Sequence, residues 1–223
     1  ERFVYDRSQW INVDGKERGR KDHFVEAQGR KVCEILETAF SKEADPDLFI
    51  ISPFTSVVRG MKKYLRDYKN AHPDSPLSGC RTEWINRKIG TVHTFQGKEA
   101  AEVIFLLGCD KSREASGAVR WVNANIVNVA ATRAKYRLYV IGEEAVWRKS
   151  EVVNRAKDII DTFALRQIKT IVMREVSEEE KRKALTDASS ALPPVTSFHT
   201  EVSENDEGEK EYSVNTEGFL KAL

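Results

Sequence analysis

The chain has 223 residues, 40% hydrophobic and 32% charged, and its 36 Lys and Arg against 35 Asp and Glu leave a net charge of +1. That length suits one α/β domain with an appendage, and a domain of that size buries its core without metals or disulfides. The balanced charge excludes a global polyanion-binding surface, so any nucleic-acid contact has to be local.

Cys33, Cys80 and Cys109 are scattered and odd in number. No CxxC or Cys/His spacing accompanies them, which predicts reduced thiols, no disulfide framework and no metal ligands. There is no signal peptide and no apolar run of about eighteen residues, so the expected location is the cytoplasm, away from membranes. The first residue is Glu1 rather than Met, as in a piece of a longer protein.

In chain order, residues 1–21 are polar, carry Gly15 and Gly19, and read as an entry segment with little regular structure. Val32, Ile35, Leu36 and Ala39 recur at helical spacing within 24–40, and Asp45-Pro46 ends that helix. Leu48 to Ile51 is a strand closed by Ser52-Pro53. Val58, Met61, Leu65 and Tyr68 line one face of a second helix, with Thr55 or Ser56 as N-cap. From Arg59 to Lys88 there are 8 Lys or Arg against 3 Asp or Glu, which reads first as a solvated helix face. The loop 72–79 holds two prolines, Pro73 and Pro76. Short strands follow at 89–93 and 103–107, then a polar loop at 109–117, a helix at 125–135 and a strand at 138–141. Val152, Ala156, Ile159, Ile160 and Phe163 make a closing helix. Ser177 and Glu180 form a capping box for a charged helix that Pro193-Pro194 ends, and the acidic remainder reads as disordered or as an interaction segment. The division is an entry segment over 1–21, a sheet domain over 22–168 and a charged helix with its acidic tail over 169–223. Alternating strands and helices predict a mostly parallel sheet with helices on both faces.

Three blocks in this order carry the chemistry: Phe49 to Leu65 (FIISPFTSVVRGMKKYL), Thr91 to Phe105 (TVHTFQGKEAAEVIF) and Asn128 to Gly142 (NVAATRAKYRLYVIG). The last two couple a polar loop bearing glycine or arginine to a short apolar run, the pattern of a buried parallel strand with functional groups at its end. The blocks resemble motifs IV, V and VI of superfamily-one helicases. The nearest branch is the Upf-like one with its bacterial relatives, whose patterns run T-x-H-x-x-Q-G-x-E and N-V-A-x-T-R-A-K/R. The resemblance covers about Asp22 to Trp147 and sharpens the fold to a RecA-like one, the second of the two RecA-like lobes of a helicase motor.

The resemblance makes Arg133 the motif VI arginine finger, facing the γ-phosphate of ATP across the lobe interface. A planar, permanently charged guanidinium suits phosphate oxygens, and such a finger is worth about a thousandfold or more in rate. The structural alternative is a surface arginine paired with a carboxylate. Gly97 allows a turn that a side chain blocks and by resemblance lies near the phosphates, and Glu99 by resemblance contacts the nucleotide sugar. The alternative for Glu99 is a helix-starting glutamate held by the helix dipole. Gln96 helps couple the nucleotide and strand sites, and Lys98 reads as solvated. Arg59 stands as the motif IV arginine, although Val57 occupies a position where relatives carry glutamine. Ala131 replaces a larger aliphatic residue. Asn128 is expected to hydrogen-bond locally and hold the arginine-bearing helix.

Thr91, His93 and Thr94, at the end of a strand, offer groups suited to phosphate and sugar and by resemblance touch the single strand. Trp84 and Trp121 are stacking candidates, with core packing the better expectation for each. No GxxxxGK[ST] loop occurs, so the resemblance implies that ATP and its Mg2+ are held by the N-terminal RecA-like lobe of the same parent chain, and that this chain is inactive alone. The implied substrate is single-stranded nucleic acid, DNA ahead of RNA, with five-prime to three-prime travel. The rival readings are a nucleic-acid-binding docking or regulatory module with a degenerate nucleotide site, and a RecA-like ATPase that does not unwind.

Overall fold

A computed structural model describes residues 2–19, 22–113, 117–174, 200–204 and 210–214. The chain divides into two units, Glu1–Ala164 and Leu165–Leu223.

The first unit is a 5-stranded sheet of β1 (Gln9–Asn12), β2 (Leu48–Ser52), β3 (Ile89–Thr91), β4 (Ala100–Gly108) and β5 (Ala134–Gly142) in the order β1-β5-β4-β2-β3. Every pairing is parallel. Side chains alternate across the strands, and this sequence spends that alternation on two cores. Leu48, Ile50, Ile104, Leu106, Tyr139 and Ile141 pack on one face against α1 (Glu26–Lys42), α2 (Thr55–Ala71) and α3 (Thr82–Lys88). Phe49, Ile51, Val103, Phe105, Leu107 and Val140 pack on the other. There they meet α4 (Gly117–Trp121), α5 (Ala124–Ala131), α6 (Glu144–Trp147) and the start of α7 (Glu151–Arg174). This is the α/β RecA-like arrangement expected, with helices on both faces. Among the described residues no helix is long and apolar enough to cross a membrane.

The structure differs from the sequence reading at several element boundaries. The entry segment contains β1, a half-buried edge strand in register with β5 (Gln9 with Tyr139, Asn12 with Gly142). An edge strand with one short apolar pair, Trp10 and Ile11, leaves little periodic signal. β5 begins at Ala134 rather than Leu138, and α5 ends at Ala131 rather than Lys135. The first half of β5 is partly exposed, so only its second half has an apolar pattern. Phe54 caps α2 in place of Thr55 or Ser56; the Phe54 N–H donates to Ser52 Oγ at 3.2 Å. The short helices α3 and α4 fall in segments read as loop or left unassigned.

The entry segment is stitched to the sheet by polar groups. Glu102, 7% exposed, accepts from Val4 N at 2.9 Å and from the Tyr139 hydroxyl. Tyr139 accepts in turn from Tyr5 N at 3.3 Å, and Ser8 Oγ accepts from Leu138 N at 2.9 Å. Burial, then the neighbouring Glu102 carboxylate, pushes the Tyr139 hydroxyl far above its usual range.

In the second unit, β6 (Thr200–Glu204) pairs antiparallel with β7 (Lys210–Val214). The expected capping box at Ser177 and Glu180 and the stop at Pro193-Pro194 lie outside the described residues.

Tyr139→Phe removes a donor from a buried carboxylate and is expected to cost about 1–3 kcal/mol. Urea unfolding against the wild type measures it, and an unchanged midpoint would show that Glu102 finds another donor.

Candidate functional site

Arg133 follows the C-terminus of α5 and precedes β5. Asn123 starts that helix by accepting from Ile126 N at 3.2 Å, the usual asparagine N-cap. At the other end Thr132 folds back, its hydroxyl donating to Asn128 O at 2.8 Å. The Arg133 guanidinium donates from Nε to Val129 O at 3.1 Å and from Nη2 to Thr132 Oγ1 at 3.1 Å. Nη1 reaches Phe95 O at 3.4 Å and Lys98 O at 3.2 Å. Four of its five N–H groups are therefore engaged, all by neutral oxygens. Among the described residues no carboxylate pairs with Arg133, so the expected alternative of a surface ion pair does not apply. The negative end of the α5 dipole favours the cation by about 0.3–1 kcal/mol.

The loop that Arg133 grips is a turn. Lys98 N donates to Phe95 O at 2.9 Å, Gln96 has φ −57° and ψ 125°, and Gly97 has φ +77°. These are type II values, which require a positive φ at the third residue and so favour glycine there. Arg133 binds the carbonyls at both ends of this turn, while its own carbonyl accepts from Ala100 N at 2.9 Å. Backbone and side chain of one residue thus fix the loop that enters β4. Phe95 anchors the loop from below, stacked on Phe49 with ring centroids 4.3 Å apart.

Gln96, Gly97, Lys98 and Glu99 are all exposed at this edge. Glu99 leads into a strand, so the helix-start alternative for it is corrected. It stands 3.7 Å from Lys135 at the head of β5. Nearby, Asp47 lies just before β2. Burial raises its carboxyl, but hydrogen bonds from Lys88 and from Ala101 N–H outweigh burial and hold it below the usual range. Asn128 departs from expectation: its main-chain carbonyl binds Thr132, but its side-chain Oδ1 is buried without a partner.

The remaining predicted residues lie elsewhere. Thr91 ends β3, and Thr91 and Thr94 cap each other, with Thr91 N donating to Thr94 Oγ1 at 3.2 Å. His93 and Thr94 are exposed on the short crossover to β4. Arg59 is exposed in the second turn of α2, beyond the carboxyl end of β2 and on the opposite face from α5. The structure therefore does not bring Arg59 to Arg133. Much of the basic stretch 59–88 is engaged in packing: Arg66 bonds Asn86 Oδ1 at 3.0 Å, Arg87 pairs with Asp45 at 2.9 Å and Lys88 with Asp47 at 2.9 Å. Trp84 is a core residue, 3% exposed, donating to Pro46 O at 3.3 Å. Trp121 is not: it is 49% exposed and lies 5.9 Å from the Phe54 ring. The sequence carried no signal that separated these two tryptophans.

A family model described as an AAA domain matches residues 5–145, a span that holds all five strands of the parallel sheet and Arg133 with the turn it grips. The chain belongs to that AAA-domain family. It is also similar to an ATP-dependent helicase of Methanocaldococcus jannaschii, itself described as uncharacterized, at 26% identity over 149 residues. That alignment takes in 66% of this chain and 19% of the relative, so the chain spans about a fifth of the relative's length. Both matches point to the helicase-related, P-loop class of domains, one whose members use ATP.

Gly97→Ala meets no neighbour within 4 Å, so its cost is the left-handed backbone alone, about 1–2 kcal/mol. Gly97→Asn is expected to cost less. Denaturant midpoints rank the two; equal wild-type stability for both would refute the type II turn.

Proposed function

We propose that this chain is the second RecA-like lobe of a superfamily-one, Upf-like helicase or translocase, with Arg133 as the arginine finger for ATP bound on a first lobe. The observation that carries the reading is the guanidinium held by carbonyl and hydroxyl oxygens alone, at a sheet edge where Gly97 and Glu99 are exposed. Among the described residues no anion neutralises it, so its full charge remains for a γ-phosphate, which replaces the carbonyl contacts as the lobes close. In this scheme Glu99, exposed on the same loop, contacts the nucleotide sugar. Mg2+ and the phosphate loop belong to the first lobe in this scheme, and the chain alone does not turn over ATP.

Single-stranded nucleic acid, DNA in preference to RNA, takes the other end of the strands. Thr91, His93 and Thr94 face it from the end of β3, and the exposed Trp121 offers a ring for base stacking. The proposal leaves Arg59 out of the γ-phosphate contacts, because it sits on the other face. A second reading is favoured by the internal bonds of Arg133: a docking module in which this arginine serves only as a clamp on the turn.

Strand-stimulated ATPase activity of the intact protein separates the two. Arg133→Ala is expected to lower turnover by about a thousandfold or more with single-strand affinity retained. Arg133→Lys keeps the charge but not the fork and is expected to remain folded and equally inactive. Full turnover in Arg133→Lys would remove the arginine-finger role and leave Arg133 as a clamp, whereas absence of turnover in the wild type with binding intact would establish the docking reading.

Trp121→Ala is expected to weaken single-strand binding by about 1–3 kcal/mol and leave unstimulated ATPase unchanged. Titration with matched DNA and RNA oligonucleotides reads both the loss and the preference; unchanged affinity for both removes Trp121 from the strand path.

A further inference from the structure

A second cluster lies at the carboxyl ends of the strands and does not depend on the helicase reading. β2 and β4 are neighbours, yet the chain leaving β2 goes to β3 on one side and the chain leaving β4 goes to β5 on the other. Their carboxyl ends flank the topological switch point, where open α/β sheets form a crevice for ligands. Cys109 follows β4 at that point. Glu17 and His23 are brought to it by a turn whose ends are tied: Glu17 bridges Val25, and Arg18 N donates to Phe24 O at 3.0 Å.

The three side chains converge there. His23 Nδ1 is 3.3 Å from Glu17 Oε1, and one donor atom from each of Glu17, His23 and Cys109 lies within 4.8 Å of the others. Their backbones are held in unusual shapes to do so. His23 (φ 57°) and Cys109 (φ 63°) are the non-glycine residues with positive φ among the described residues. Cys109 N donates to His23 O at 2.8 Å. Gly108 (φ +66°) is required beside them, since a Cβ there would meet His23 O at 2.4 Å. Asp110 fixes the remaining member, accepting from Glu17 N at 2.9 Å through Oδ2, while its Oδ1 accepts from Ser112 N at 2.9 Å. Two of the three residues whose side chains meet thus carry left-handed backbone, which is uncommon outside glycine.

We propose that Glu17, His23 and Cys109 form a three-ligand site for a zinc-class divalent cation, with the fourth position left to water. Sulfur, imidazole and carboxylate together match that class, and three protein ligands with one open position is the catalytic or regulatory pattern rather than the closed structural one. Bond lengths of about 2.0–2.3 Å put tetrahedral ligand atoms about 3.5 Å apart, so the cluster closes by about an ångström on binding. Asp110 holds the Glu17 main chain in place through its N–H. The cluster sits beside Phe54, whose ring lies 4.8 Å from that of His23, and so joins the Trp121 surface.

The test uses the full chain, stripped with chelator and titrated with Zn(II) alone and, in parallel, with Co(II). One zinc per chain and a thiolate-to-cobalt charge-transfer band are expected, with the band lost in Cys109→Ser. Cys33→Ser and Cys80→Ser keep it, because those thiols lie in the opposite core, where burial pushes them up to about 12 and about 11. Glu17→Gln and His23→Gln are each expected to weaken zinc by more than the roughly 10–100-fold that an outer partner costs, with the far-ultraviolet circular dichroism unchanged. A wild type that binds no metal, or a band that survives Cys109→Ser, overturns the proposal. Should Cys109→Ser fail to fold, undiminished zinc affinity in Glu17→Gln overturns it alone.

Discussion

Burial of β4 on both faces is the constraint from which the rest follows. All of its residues except Ala101 are buried, with Ile104 and Leu106 committed to one core and Val103, Phe105 and Leu107 to the other. A parallel strand in that position has no solvated face on which to display a functional group. The one carboxylate it carries, Glu102, is consumed by Tyr139 and Val4. Functional groups are therefore left to the two ends of the strand, where the backbone is unusual: Gly97 before it, Gly108 at its last position and Cys109 after it.

The amino end depends on Arg133 because the crossover feeding β4 contains no α-helix. From the end of β3 the chain returns through a short 3-10 turn at Val92–Phe95 and the type II turn, too little structure to hold itself. Phe95 stacked on Phe49 supplies the apolar anchor and Arg133 the polar one. The same contacts explain why the guanidinium needs no carboxylate: carbonyls at a helix end and a turn supply enough partial negative charge to orient it without neutralising it. An arginine clamped by an acid is a poor phosphate ligand, since that acid has to be displaced as well.

What the sequence shows of this fold tracks how much of each element is buried. β2 and β4 read directly as apolar runs because they are wholly or almost wholly covered. β1 and the first half of β5 lie at the sheet's edge and are half exposed, so their hydrophobic pattern is diluted. Gly97 is legible because few residue types suit a positive φ, glycine above all. The pairing of Thr91 with Thr94 and the gripping of Phe95 and Lys98 by Arg133 are not, since each hydroxyl or guanidinium has many possible acceptors and only the fold selects them. Trp121 differs from Trp84 solely in tertiary surroundings. Glu17, His23 and Cys109 are invisible as a group, because strand order rather than spacing brings them together.

The two ends of β4 are joined by a strand buried between two cores, and that limits how they communicate. A strand packed at interior density between two cores does not have a second arrangement to switch into. Coupling between sites needs an element with two discrete states. The segments outside the packed strand are the turn at Gln96-Gly97, held by hydrogen bonds to Arg133, and the loop after Gly108, held at positive φ. The amino-end turn also connects backward to Thr91 and Thr94 through the 3-10 turn at Val92–Phe95. Release of Arg133 from Phe95 O frees the C-terminal residue of that turn, whose other end carries the Thr91–Thr94 cap. On the reading proposed above, a nucleotide that draws Arg133 away from Phe95 O alters the crossover from Gln96 back to Thr91 while the buried strands stay in place.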